Sequence, residues 1–220
     1  MEYFVGIDLG TSSVRAVAVD PDGNAAAAGQ CEYDIQKPEL DRAEQDMDQL
    51  WEATVQAIRK MLVEKPEIRD EVRGIGFSGQ MHGLVMVDRE IRPVGNAIIW
   101  ADQRSAEQIR HIYGTVPEEE FAKVFENRLS TGFLLPSLVW VREKEPARYE
   151  KIYKVMLPKD YIRYRICGEL GTDASDACST GMWDMKARTW AFDILKKLDI
   201  PAEYLVESHE SYEKAGTVTK

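Results

Sequence analysis

Near its start the chain sets Val5, Ile7 and Leu9 against Gly6 and Asp8, and this alternation ends at Gly10. Side chains of a strand point to opposite faces in turn, so the three aliphatic residues share one face and Asp8 projects from the other. A second run, Val14 to Asp20, follows the polar stretch Gly10-Thr11-Ser12-Ser13, and a third, Ala25 to Ile35, follows Pro21-Asp22-Gly23-Asn24. Connections this short, built from turn residues, join antiparallel neighbours. The opening segment is therefore expected to be an antiparallel meander whose first strand is Tyr3 to Leu9.

A helix capped at Asp46 or Asp48 is expected next, because Trp51, Val55, Ile58 and Leu62 recur at helical spacing and offer an apolar stripe to the sheet. Pro66 ends it. Val72 to Ser78 reads as a buried strand and Leu84 to Asp88 as another, with Gly79-Gln80-Met81-His82-Gly83 between them. Beyond Trp100, helices are expected over 101–113, 117–125, 136–143 and 158–167, three of them opening at a proline, with a short strand at 153–157. No repeat, low-complexity run or flexible linker divides the sequence, so residues 1–220 are expected to form one compact α/β domain.

A formal net charge of −10 argues against nucleic acid or an anionic membrane as partner, since phosphate backbones are held by clustered Lys and Arg. An anionic nucleotide is not excluded by it, because backbone N–H groups and one or two basic side chains suffice there. No stretch is long and apolar enough to cross a bilayer, so a soluble protein is expected. The first residues carry acids and no basic region and read as a strand rather than a secretory signal, which makes the cytoplasm the expected location. Cys31, Cys167 and Cys178 fit neither a disulfide framework nor a zinc site and are expected to be buried, reduced thiols.

A carboxylate at a strand end followed by a glycine bend suits a metal-bound phosphate. Gly10 lets the backbone approach a ligand, the N–H and hydroxyl groups of Thr11, Ser12 and Ser13 can wrap phosphate oxygens, and Arg15 is the nearest basic side chain. Asp8 can hold magnesium through water, since that hard cation prefers oxygen and keeps much of its hydration shell. The stretch is not a P-loop, which needs Gly-x-x-x-x-Gly-Lys followed by Ser or Thr. An ordinary hairpin whose Asp8 bonds its own turn is the competing reading. In the turn at 79–83, His82 can exchange a hydrogen bond with a hydroxyl and Met81 can cover a C–H face, which suits a polyol; a purely local role for His82 competes. Trp100 competes with itself as cleft residue or buried core. Lys159-Asp160 reads as the charged first turn of a helix, its ion pair weak if exposed. Asp173, Ser175, Asp176 and Thr180 read best as capping and turn residues.

Gly6-Ile7-Asp8-Leu9-Gly10-Thr11-Ser12-Ser13 with Arg15 resembles the first phosphate-binding hairpin of the actin, hexokinase and heat-shock ATPase superfamily, in particular its FGGY carbohydrate kinase branch. Gly79-Gln80-Met81-His82-Gly83, Ile99-Trp100-Ala101-Asp102-Gln103-Arg104, Leu157-Pro158-Lys159-Asp160-Tyr161, Asp173-Ala174-Ser175-Asp176 and Trp183-Asp184 follow in the order and spacing of xylulokinases. The resemblance covers essentially the whole chain. It implies a ribonuclease H-like α/β domain, a mixed sheet with three antiparallel first strands and flanking helices. It implies ATP and magnesium as cofactors, with Gly10, Thr11, Ser12, Ser13 and Arg15 on the nucleotide phosphates and Asp8 on the metal. Gln80, Met81, His82, Trp100 and Asp102 fall on the sugar side.

The implied reaction turns D-xylulose into D-xylulose 5-phosphate, with ribulose or gluconate kinases as alternatives and a non-catalytic binding module as the reading from another class. Glycerol is disfavoured: Gly132-Phe133-Leu134-Leu135 lacks the tyrosine, and Met81-His82 replaces the Arg-Glu pair, that glycerol kinases use. The general base of FGGY kinases is an aspartate in a glycine-rich segment of the second half, and nothing after Thr189 resembles it, so no catalytic residue is expected in this chain. Ala215 to Lys220 reads as the approach to that half. The expectation is a truncated chain, inactive alone, whose complete form closes around its substrates. Apolar surface normally covered by the missing half makes self-association as a homodimer an expected partner state.

Overall fold

The computed structural model describes residues 2–219, which leaves the last residue of the expected approach strand, Lys220, outside the described residues. The opening alternation does what a period of two requires. Strand β1 (Tyr3–Leu9) buries Tyr3, Val5, Ile7 and Leu9 and exposes Phe4, Gly6 and Asp8. β2 (Ser13–Val19) pairs antiparallel with β1, and β3 (Ala25–Glu32) antiparallel with β2. After the two-residue strand β4 (Glu44–Gln45) come helices α1 (Met47–Glu64) and α2 (Ile68–Glu71), and then β5 (Val72–Gly79), which lies parallel beside β1. The sheet order is β3-β2-β1-β5, with α1 as the crossover that a parallel neighbour needs. The chain divides into two compact units, one of Met1–Ile35 with Gln45–Gln80 and one of Gln36–Glu44 with Met81–Lys220. The sheet and α1 make up the first.

Asp46 caps α1 as expected, its side chain accepting from the N–H groups of Asp48 and Gln49. The buried face of the helix differs from the expected one. Met47, Leu50, Ala53, Thr54, Ala57 and Met61 are buried, whereas Trp51, Val55, Ile58 and Leu62 are only half-buried. The cause lies in β3. A Cβ added at Gly29 would stand 2.1 Å from the carbonyl oxygen of Ala57 and 2.6 Å from the amide nitrogen of Met61. The helix backbone rests on the strand itself, so the face turned to it is the one with small residues, not the bulkiest one.

β5 was expected to be buried, yet Arg73, Gly76 and Ser78 on it are exposed. Gly76 stands beside Gly6 in register, and a Cβ added at either would meet no atom within 4 Å. Two residues further along the same face lie Asp8 and Ser78, also in register.

The second unit contains β6 (Val85–Val87), β7 (Ala97–Ile98), α3 (Ala106–Thr115), α4 (Glu118–Phe125), α5 (Leu134–Lys144), α6 (Pro146–Tyr149), β8 (Lys154–Met156), α7 (Pro158–Cys167), β9 (Thr172–Asp173), α8 (Ala174–Ala177), β10 (Trp183–Asp184), β11 (Thr189–Trp190), α9 (Phe192–Lys197) and β12 (Ser208–His209). β6 pairs antiparallel with β8, and β12 runs parallel to β9. Its core gathers Leu84, Met86, Ile98, Phe121, Leu135, Leu138 and Trp183 around α5, which is buried from Leu134 to Val141. Of the three prolines expected to open helices, Pro158 does so, Pro117 is the residue before α4, and Pro136 sits inside the first turn of α5, where its missing N–H would have no intrahelical partner. The three cysteines are free but half-buried, not buried as expected. Among the described residues no helix is long and apolar enough to cross a membrane.

Gly29→Ala should force α1 off the sheet and lower the unfolding free energy by about 1–3 kcal/mol, read by urea denaturation. Gly76→Ala, which meets open space, should stay within about 0.5 kcal/mol of the parent.

Candidate functional site

In the first unit the side chains expected around a nucleotide lie at the end of β1. Asp8 stands opposite Arg15 on β2 and opposite Ser78 on β5, all three exposed on one face of the sheet. The Ser78 hydroxyl donates to Oδ1 of Asp8 at 2.7 Å. The partner of Asp8 is thus a neighbouring strand rather than its own turn, and its other carboxylate oxygen has no partner among the described residues. Arg15 forms no ion pair among them.

The turn that follows is braced from one side. The Tyr33 hydroxyl donates to the Gly10 carbonyl, and Nε2 of Gln45 donates to the Thr11 carbonyl at 2.6 Å. The Tyr33 N–H donates to the Ser12 carbonyl at 3.1 Å. Burial drives the Tyr33 phenol well above its usual range against the opposing bond from Gln45, so it stays a donor at neutral pH. Every peptide here is trans, and a trans peptide points its N–H opposite to its C=O. Holding the Gly10 and Thr11 carbonyls toward Tyr33 and Gln45 therefore directs the N–H groups of Thr11 and Ser12 the other way. Successive N–H groups so aimed make an anion-binding edge.

Gln45 is fully buried, and its Oε1 accepts from Nε2 of Gln80 at 2.6 Å. Gln80 also donates its backbone N–H to Leu9 at 2.8 Å. Expected on the sugar side, Gln80 is buried and braces the 10–12 turn through Gln45. Tyr33, Gln45 and Ser78 were not singled out from the sequence.

In the second unit, Met81 is 55% exposed, an apolar chain held out at a turn. His82 has φ +73°, a left-handed conformation that costs a non-glycine residue about 1–2 kcal/mol. Contacts hold it there. Its ring stacks on Phe133 with centroids 3.9 Å apart, and Nδ1 lies 2.6 Å from the Ser179 carbonyl oxygen. Burial pushes its pKa below the usual histidine range, with the Ser179 bond opposing. Trp100 is 47% exposed, which rules out the core alternative. Gly132, at φ +78°, packs so closely on the Trp100 backbone that a Cβ would lie 2.2 Å from its carbonyl oxygen.

Asp102, two residues on, is fully buried. Its carboxylate accepts from the N–H of Ala43 at 2.7 Å, from the N–H of Arg104 at 3.0 Å, and from Nε and Nη2 of Arg104 at 2.9 and 2.7 Å. Arg104 also reaches Glu44 at 2.7 Å. With its lone pairs so engaged, Asp102 ties Trp100 to the 36–44 segment and presents no oxygen to solvent.

Lys159 and Asp160 lie in the first turn of α7, as expected, and the condition under which their ion pair was expected to be weak does not hold. The pair is buried: Nζ of Lys159 lies 2.9 Å from Asp160, 2.5 Å from Asp173 and 3.2 Å from Asp176. Burial alone would raise the Asp173 carboxyl, but hydrogen bonds from Lys159, Ser175 and Ser211 hold it well below the usual carboxylate range. Burial raises Asp176, and Lys159 only partly offsets this. Asp173 also caps α8, as its reading as a capping residue anticipated.

Residues 3–220 match the family model of the FGGY family of carbohydrate kinases, N-terminal domain. A xylulose kinase of Staphylococcus xylosus is 34% identical over 220 residues, which is 100% of this chain and 45% of that protein. A xylulose kinase of Escherichia coli (strain K12) is 34% identical over 215 residues, 98% of this chain and 44% of that protein. The crystal structure of a xyloylose kinase from Brucella ovis matches with a TM-score of 0.95 at 34% identity, over 99% of this chain and 45% of that one. The chain thus spans about 45% of the length of these relatives.

Gln45→Leu should leave the Thr11 carbonyl and the Gln80 amide without their partner, at about 1–3 kcal/mol for each buried group, measured by chemical denaturation. In the Lys159 cluster the folded Asp173 binds its proton more weakly than the unfolded chain does. Its stabilisation is therefore complete above the ordinary aspartate value of 3.8 and is lost as pH falls below it. Unfolding free energy measured across pH should show that acid loss in the parent and a flatter acid limb in Asp173→Asn.

Proposed function

The chain belongs to the FGGY family of carbohydrate kinases, of which it carries the amino-terminal domain, and from this we propose that the longer protein moves the terminal phosphoryl group of ATP to a hydroxyl of a ketopentose, D-xylulose giving D-xylulose 5-phosphate. The observation that carries the reading is the braced turn at 10–12 beside an exposed carboxylate. Thr11 and Ser12 offer N–H groups, Ser12 and Ser13 offer hydroxyls, and Arg15 adds a positive charge on that face. Asp8 fits magnesium: one exposed carboxylate with an oxygen to spare, and no closed acidic cage among the described residues, suits an ion that keeps its waters and is shared with substrate phosphates. When bound, the ion would neutralise charge on the phosphates.

On the sugar side Met81 covers a C–H face, His82 meets a hydroxyl, and Trp100 supplies an exposed aromatic wall. Gln80 and Asp102 act behind these, through Gln45 and through Arg104. No residue among these is a free general base. The aspartate that takes the acceptor proton belongs, in this reading, to the half of the protein beyond residue 220, so residues 1–220 bind without turning over.

The test is a phosphorylation assay of the protein with that second half attached, using ATP and magnesium with D-xylulose, ribulose, gluconate and glycerol. Turnover of D-xylulose is expected; turnover of gluconate or glycerol without it would overturn the assignment. Asp8→Asn should lower kcat about 100-fold while leaving D-xylulose affinity within about threefold.

A further inference from the structure

A carbonyl oxygen only accepts hydrogen bonds, so the ring nitrogen of His82 that lies 2.6 Å from the Ser179 carbonyl must carry a proton. A neutral imidazole has one N–H, and Nε2 is then left with its lone pair. The partner is main chain. Unlike a hydroxyl or a side-chain amide, it cannot rotate to reverse the polarity of the bond. Stacking on Phe133 fixes the ring plane, and Nε2 has no partner among the described residues.

The Ser179 carbonyl is itself placed by bonds at both ends of α8. The N–H and the hydroxyl of Ser179 donate to the Asp176 carbonyl at 3.0 and 2.7 Å. Asp173 caps the helix at its start, and Asp173 and Asp176 both grip Lys159.

We infer that Ser179, through its carbonyl, is a positioning residue that locks His82 as the Nδ1–H tautomer, so that Nε2 is a fixed acceptor and the turn selects a ligand hydroxyl able to donate to it. The inference rests on the sugar reading above only in its last step, the identity of the ligand. A ligand group that only accepts, such as a carbonyl or an ether, finds no donor at His82. The buried charges around Lys159 acquire a role at the turn: they hold the α8 end that sets which way the ring is protonated.

The experiment is long-range ¹H–¹⁵N correlation spectroscopy of the labelled 220-residue chain at neutral pH, with His82→Phe identifying the His82 signals by their loss. One protonated-type nitrogen at Nδ1 and one unprotonated-type nitrogen at Nε2 are expected. A ring protonated at Nε2, or an averaged pair of signals, overturns the inference. D-xylulose should then move the Nε2 signal toward the protonated range and leave Nδ1 in place, and His82→Phe should weaken D-xylulose binding by about tenfold. An Nδ1–H ring whose Nε2 ignores saturating D-xylulose supports the lock and overturns the sugar reading of this turn, so the two failures are distinguishable.

Discussion

A trans peptide cannot aim its carbonyl one way without aiming its N–H the other. At the 10–12 turn that constraint decides which way the backbone N–H groups face, because Tyr33 and Gln45 hold the carbonyls of Gly10 and Thr11 on one side. Neither brace is close to the turn in sequence. That N–H edge therefore exists only when the end of the meander and β4 are in place. Gln45 is held in turn by Gln80, so the 10–12 turn and the Gly79-Gln80 end of β5 are linked through Gln45 within a single packed unit.

The second unit uses buried charge for the same purpose. Buried ion pairs are weak evidence of stability, since desolvation offsets their attraction, but their geometry does not slide as an apolar contact can. Asp102 and Arg104 fix the 36–44 segment, and Gly132 fixes the backbone of Trp100, whose side chain stays exposed. Lys159 with three aspartates does the equivalent for α8 and the Ser179 carbonyl.

What the sequence revealed was whatever depends on neighbours along the chain. Period-two alternation located the three strands of the meander, and Asp46 announced the start of α1. The buried face of α1 escaped because Gly29, on another element, makes small residues the better fit there. Whether the Lys159–Asp160 pair is exposed stayed open for the same reason: Asp173 and Asp176 arrive from β9 and α8. Met81 and Trp100 are exposed and His82 is half-buried, which residue type had left open for Trp100, whereas Gln80 and Asp102 are buried and hydrogen-bonded to other elements. Tyr33, Gln45 and Ser78 carried no local signal at all, since a tyrosine, a glutamine and a serine become braces only through tertiary placement.

The paired glycines Gly6 and Gly76 leave a strip of backbone uncovered in the middle of a sheet face, in line with Asp8. Among the described residues nothing stands within 4 Å of a Cβ added at either place. Intolerance to bulk there would consequently be a footprint of something seated on the sheet from outside it, and a graded series from alanine to leucine would gauge how much clearance the visitor needs.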